Sequence, residues 1–273
     1  MHKLALLNGN IVDADEANIK ASTAAALYGR SVFTTAAIYG GVPFLWEKHC
    51  RRLQDDSRKI GLDTTGIPFE NIERLLHELI AANAVEAGRA RITIFDESST
   101  GLWTAKKNDG SCVLILTGDP RELSADLRLT FSTYSINSAS PLAGIKSGNY
   151  LEPLLAREEA KKNGFDEAVR VNERNEITSA CMANLFWLKD GRLFTPDLES
   201  GCLAGTTREF VLESVAFEES LVQKDVLLAA ESIFISSAGV GIRRVRSLDK
   251  KVFEPLDHEI LHLLPPLPSE TVS

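Results

Sequence analysis

The chain has 273 residues, 44% of them hydrophobic and 25% charged, with a formal net charge of -8 at pH 7. This is the balance of one large globular domain or two modest ones. It excludes a global electrostatic attraction to nucleic acid, and no apolar run approaches the ~20 residues that span a bilayer. The four cysteines, Cys50, Cys112, Cys181 and Cys202, form no CxxC pair, so neither a zinc site nor a disulfide framework is expected. The opening residues, Met1 to Asn8, turn polar too early for a signal peptide, so the expected compartment is the cytoplasm.

The chain opens on a short strand that turns at Asn8-Gly9-Asn10 and returns through Ile11 and Val12. Residues 31–39 read as a strand, and Gly40-Gly41 turns it into 42–45. Residues 46–60 are amphipathic with Gly61 as the stop, and 68–82 form a second helix with Pro68 in its first turn. Strands are expected at 89–95, 112–117 and 127–134, with a linker at 119–124 around Pro120. The second half predicts a helix to residue 163, strands at 167–171 and 176–178, and a hairpin of 184–189 with 192–194 around Asp190-Gly191. A helix at 206–217 and strands at 232–237 and 241–247 follow, before Pro265-Pro266-Leu267-Pro268 blocks further helix. Arg243, Arg244, Arg246, Lys250 and Lys251 alternate with apolar residues as the exposed face of a hairpin would. His258 and His262 share a helix spacing but have no third ligand nearby, so no metal is expected. The fold class is therefore α/β (α+β) in two domains: a small N-terminal one at 1–118 and a larger C-terminal one at 125–273.

Three segments carry chemistry. Lys146 stands in the polar loop Gly144-Ile145-Lys146-Ser147-Gly148-Asn149-Tyr150, directly before a helix. A lysine must be neutral to attack an aldehyde, and burial beside other cations lowers its pKa from about 10.4. Arg52, in His49-x-x-Arg52-Leu53, would hold a phosphate bidentately from a rigid helix face. Gly205-Thr206-Thr207 opens a helix and offers backbone N–H groups, a positive dipole end and hydroxyls. Arg89, Arg91 and Lys106 are candidate carboxylate contacts. A lysine with two phosphate grips points to pyridoxal 5′-phosphate (PLP).

Together these segments resemble the fold-type IV PLP enzymes, the class IV aminotransferase family. That family includes branched-chain and D-amino-acid aminotransferases and aminodeoxychorismate lyases. The resemblance runs in order through Asn8-Gly9, Tyr28-Gly29-Arg30-Ser31-Val32-Phe33-Thr34-Thr35, His49-x-x-Arg52-Leu53, Lys146-x-x-Asn149, Asn184-Leu185-Phe186-Trp187 and Leu203-Ala204-Gly205-Thr206-Thr207-Arg208. It implies two α/β domains with the cofactor between them, in a homodimer acting on a small amino-bearing substrate. It implies Lys146 as the catalytic Schiff-base lysine, carried by the C-terminal domain. Arg52, Gly205, Thr206 and Thr207 are implied on the phosphate, Tyr150 near the ring hydroxyl, and Ser237 as a further contact.

One position departs from the family. The resemblance implies a glutamate against the pyridine nitrogen five residues before the Asn-Leu-Phe motif, and Ser179 stands there. Glu176 does not replace it, because an odd offset in a strand points to the opposite face. A serine supplies no negative charge to stabilise a protonated ring, which favours elimination over ordinary transamination. Phe33-Thr34-Thr35, where many relatives carry Phe-Glu, is most similar to aminodeoxychorismate lyase. The expected activity is therefore a lyase-like elimination releasing pyruvate. The alternatives are an amino-acid aminotransferase and, because of Ser179, a weakly active or non-catalytic PLP-binding homologue.

Overall fold

The computed structural model describes residues 1–98, 110–121, 124 and 126–264. Lys106 and Pro265 to Pro268 lie outside them. The chain divides into two compact units: Met1–Arg121 with Ile145–Asn149, and Glu122–Gly144 with Tyr150–Ser273. The lysine segment, expected with the C-terminal half, thus groups with the first unit.

The first unit is a six-stranded antiparallel sheet with helices against it. Its strands are β1 (Leu4–Leu7), β2 (Asn10–Asp13), β3 (Ser31–Tyr39), β4 (Val42–Pro43), β5 (Ala87–Asp96) and β6 (Ser111–Gly118), in the order β2-β1-β6-β5-β3-β4. The turns at Asn8-Gly9 and Gly40-Gly41 have positive φ at both positions, the twist that matches two antiparallel strands. A short helix α1 (Ala24–Tyr28) precedes β3, with the Thr23 hydroxyl accepting from Ala26 N–H. Helices α2 (Trp46–Lys59) and α3 (Phe69–Ala82) bury Trp46, Leu53, Ile72, Leu76 and Leu79 against Val32, Ile38, Ile92, Ile94 and Ile115. In β5 every second residue from Gly88 to Ile94 is buried, the period-2 pattern of a sheet with one covered face. Pro68 sits one residue outside α3 as its N-cap rather than in its first turn.

The second unit holds a nine-stranded mixed sheet. Its strands are β7 (Leu127–Phe131), β8 (Glu167–Val171), β9 (Ile177–Ala180), β10 (Asn184–Lys189), β11 (Arg192–Pro196), β12 (Glu218–Ser220), β13 (Ser232–Ser237), β14 (Gly241–Leu248) and β15 (Lys251–Val252). Helices α4 (Leu151–Lys162), α5 (Thr206–Ser214) and α6 (Lys224–Leu228) complete it. The order is β12-β11-β10-β13-β14-β7-β8-β9, with β15 on β14, and the sheet curls so that β9 lies beside β10. Strands β10 and β13 bury both faces: Leu185, Trp187, Ile233 and Ile235 enter one core, and Phe186, Leu188 and Phe234 another. That is why they read as continuous apolar runs. Each such side chain contributes roughly 1.5–3 kcal/mol by burial.

Among the differences from the sequence-based expectation, three have a visible cause or a change of form. The strand expected to residue 134 ends at Phe131, because the Ser132 hydroxyl and Thr133 N–H turn to the Glu159 carboxylate at 3.2 Å each. The helix expected to residue 217 ends at Ser214; Val215 is extended, and 218–220 pair with β11. The expected C-terminal histidine helix is one 3-10 turn, Glu259–His262, in which His258 caps Ile260 N–H and His262 turns to Asp257 at 2.7 Å. Arg243, Arg244 and Arg246 are half-buried rather than exposed, and Arg246 donates to Phe253 O at 3.0 Å. Among the described residues, no helix is long and apolar enough to cross a membrane.

Candidate active site

Lys146 is placed by the edge of β3. β4 is two residues long and covers only Ile38 and Tyr39, so the first half of β3 has an open edge. The lysine segment fills it. Phe33 N–H donates to Lys146 O at 2.9 Å, Gly148 N–H donates to Ser31 O at 2.7 Å, and Val32 bridges Ser147. Glycine at 148 allows this close approach, because a Cβ there would meet Ser31 Oγ at 1.9 Å and Gly29 O at 3.3 Å. Asn149 donates weakly to Gly29 O at 3.4 Å, which ties the lysine segment to the Tyr28-Gly29-Arg30-Ser31 stretch.

Helix α2 supplies the polar groups. His49, Arg52 and Asp56 recur at i, i+3 and i+7, which places them on one helical face. Arg52 Nη2 donates to Thr34 Oγ1 at 2.7 Å, and Thr34 Oγ1 lies 2.6 Å from His49 Nδ1. A guanidinium only donates, so Thr34 Oγ1 accepts from Arg52 and shares its second hydrogen bond with a neutral His49 ring, whose tautomer decides the donor. The surroundings enforce that state. Burial pushes the His49 imidazole well below its ordinary pKa, and Arg52 and Lys146 add to the effect. Asp56, also buried, accepts from the Lys146 backbone N–H at 3.1 Å and lies 3.8 Å from Lys59 Nζ.

The Lys146 amine lies 4.5 Å from the centroid of the Phe33 ring, and Arg91 Cζ lies 3.6 Å from the same ring. Burial of the amine, then Arg52 and Arg91, lower its pKa to about 7, while Asp56 opposes the shift. Near neutral pH such an amine is about half unprotonated and therefore nucleophilic.

In the second unit, Gly205 is the N-cap of α5 and packs on Asn184, at the start of β10. A Cβ at 205 would meet Asn184 Oδ1 at 2.0 Å, and Asn184 Nδ2 holds Leu203 O at 2.7 Å. Thr206 and Thr207, both buried, form the first turn of α5. That turn is the positive dipole end of the helix. Ser237 ends β13 and is half-buried, next to the fully buried Ser236, which pairs with Asn184. Tyr150, half-buried, is the N-cap residue of α4.

Ser179 is half-buried on β9 opposite Arg170 of β8. Arg170 is buried, with its guanidinium on Tyr134 O and Ser135 O at 3.3 Å each and on the Glu152 carboxylate. Glu176 precedes β9 and is engaged by Arg174 at 2.8 Å and Asn172 at 2.7 Å.

Within the first unit the structure therefore brings Lys146 and Arg52 together with Arg91. Arg89 instead donates to Asp119 O at 2.9 Å. Within the second unit it groups Gly205, Thr206 and Thr207 on one helix end. Sequence reasoning missed Asp56, the pairing of Thr34 with Arg52, and Arg170. Asp56 was within reach, since it shares the His49 and Arg52 face by spacing alone. Arg170 was not, because its partner is set by strand register.

The donor set fits PLP. It offers an amine that ionises near neutrality, a guanidinium braced by a buried hydroxyl, and a helix N-terminus bearing two buried threonines. Each unit by itself thus carries groups of the kinds that a PLP-dependent enzyme uses. The profile of the amino-transferase class IV family matches residues 31–248, and the chain belongs to that family. A branched-chain-amino-acid aminotransferase of Escherichia coli strain K12 is 27% identical over 260 residues, covering 89% of this chain and 84% of that protein. An aminodeoxychorismate lyase of Bacillus subtilis strain 168 is 26% identical over 247 residues, covering 86% and 83%. The crystal structure of the Escherichia coli branched-chain aminotransferase superposes with a TM-score of 0.88 at 23% identity, over 96% of this chain and 92% of that one. The chain is thus an enzyme of the class IV aminotransferase and lyase family, and its cofactor is pyridoxal 5′-phosphate.

Proposed function

We propose that this enzyme is a lyase of the aminodeoxychorismate type, releasing pyruvate from a small amino-bearing substrate. The observation that carries this reading is Thr34. Where many relatives have glutamate after Phe33, this chain has a buried hydroxyl that braces Arg52 and His49. The similarity to the Bacillus subtilis lyase supports it. When bound, PLP supplies an electron-withdrawing ring that stabilises negative charge beside the substrate amine. Lys146 holds the cofactor and moves the proton at its Nζ. Arg52, Gly205, Thr206 and Thr207 take the phosphate, with Ser237 as a further contact. Tyr150 would serve the ring hydroxyl and Ser179 the ring nitrogen.

Amino-acid transfer is the second reading, favoured by the similarity to branched-chain aminotransferases over most of the chain. One assay separates the two. PLP-loaded enzyme is given aminodeoxychorismate without a keto acid, and separately amino acids with a keto-acid acceptor. Pyruvate formed without an acceptor supports the lyase. Transfer that depends on the acceptor, with no pyruvate from the first substrate, replaces it by the aminotransferase. The same reading takes the enzyme as a cytoplasmic homodimer, which light scattering of the purified protein tests for its mass.

A further inference from the structure

We infer that Asp56 is a positioning residue for Lys146: one buried carboxylate on α2 both anchors the backbone of the lysine segment and offsets the cations around its amine. The inference rests on Lys146 being the cofactor lysine. The anchor is a direct contact, Lys146 N–H to Asp56 Oδ2 at 3.1 Å. On its other side the segment is joined to β3 by the backbone bonds of Lys146 O, Ser147 and Gly148. Those bonds fix the segment on the strand side. Asp56 fixes it from the helix side, so the peptide of Lys146 is held between α2 and β3.

The electrostatic part follows from the surrounding charges. The groups acting on the Lys146 amine are Arg52 from α2 and Arg91 from β5, both cationic, and Asp56 as the opposing anion. His49, on the same α2 face, is buried neutral and adds no charge. Lys59 acts on Asp56 from the solvent side of α2, with Asp55 as a neighbouring anion. Without Asp56 the amine would lose the anion that opposes the two guanidinium groups, and its protonated form would be disfavoured further. A carboxylate is also costly to bury. Burial does push the Asp56 carboxyl up, while the Lys146 N–H, Arg52 and Lys59 pull it back. A neutral hydrogen-bond acceptor would have anchored the backbone at less cost, so the charge itself has a use here.

The test separates anchor from charge. Asp56→Asn keeps an oxygen that accepts from Lys146 N–H and removes the charge, and Asp56→Ser removes the charge with a smaller side chain whose oxygen stands one bond short of that contact. Trace labelling with acetic anhydride across a pH series, on the full chain stripped of cofactor, reads the ionisation of Lys146 directly from its peptide. Both variants should move the Lys146 midpoint downward by several tenths to about one pH unit. Asp56→Ala should in addition raise hydrogen exchange at the Lys146 and Ser147 amides, which Asp56→Asn should leave protected. A midpoint unchanged or raised in whichever of Asp56→Asn and Asp56→Ser folds overturns the electrostatic role. Unchanged exchange in Asp56→Ala overturns the anchoring role. Borohydride reduction of the holoenzyme, with mapping of the cofactor-bearing peptide, reports separately whether Lys146 is the cofactor lysine.

Discussion

Ser179 stands directly opposite Arg170 in the antiparallel pair of β8 and β9, so their side chains leave the same face of the sheet. The position that the family resemblance gives to a carboxylate therefore carries a neutral hydroxyl beside a buried guanidinium. A carboxylate restored at 179 would meet Arg170 as well as any ring nitrogen.

This sets the first prediction. Ser179→Glu alone should pair with Arg170, in competition with Glu152, and change the absorbance of the bound cofactor little. Ser179→Glu combined with Arg170→Ala should leave the carboxylate to the ring, favour its protonated form and increase half-transamination with amino acids. Retained PLP binding is checked first, since a new buried charge can disrupt packing. The same spectrum and the same half-reaction from the single and double variants would remove Ser179 from the ring nitrogen.

Capture of PLP by the cofactor-free enzyme should rise with pH through about 7, the value to which burial and the Arg52 and Arg91 charges lower Lys146. The sign follows from the nucleophile being the unprotonated amine. About a tenth of it is available at pH 6 and about nine tenths at pH 8. Stopped-flow absorbance gives the profile, and borohydride should fix the cofactor to the Lys146 peptide. A label recovered on another lysine would sink the assignment.

Arg52→Ala removes a charge-assisted contact and should weaken PLP binding by roughly 1.5–3 kcal/mol, about tenfold to hundredfold in Kd. Thr34→Val keeps the shape of the side chain but removes the acceptor of Arg52 and the hydrogen-bond partner of His49, and should weaken binding in the same direction. Arg51 is exposed on the helix, and Arg51→Ala should do little. Equilibrium dialysis compares the three. Equal losses from Arg51→Ala and Arg52→Ala would show that the wrong arginine had been chosen.

Gly205→Ala should cost about 1–3 kcal/mol of stability, because its Cβ would overlap Asn184 Oδ1 at 2.0 Å. Asn184 is held by Leu203 O, so it cannot yield freely. Urea unfolding measures the cost. If steric overlap is the cause, the loss should be smaller when Gly205→Ala is introduced into Asn184→Ala; additive losses would locate the cause elsewhere.

The sequence by itself determined the elements and the residue types of the site. Hairpins at Asn8-Gly9 and Asp190-Gly191, the amphipathic α2 and the apolar runs of β10 and β13 are local patterns, so they were legible without the fold. Lys146, Arg52 and Thr206-Thr207 were legible as candidates through ordered motifs. Element ends were less so: Phe131 ends its strand because Glu159 takes the next residues, and Ser214 ends its helix because 218–220 must pair with β11. Tertiary structure alone decided that the lysine segment completes the edge of β3, that Thr34 links Arg52 to His49, that Asp56 holds Lys146 from α2, and that Arg170 faces Ser179. The physical reason is range. Periodicity and capping are set by neighbours within a few residues, whereas an edge contact, a strand register and the field on a buried amine join residues far apart in the chain: Asp56 and Lys146 are 90 residues apart, Gly29 and Asn149 120.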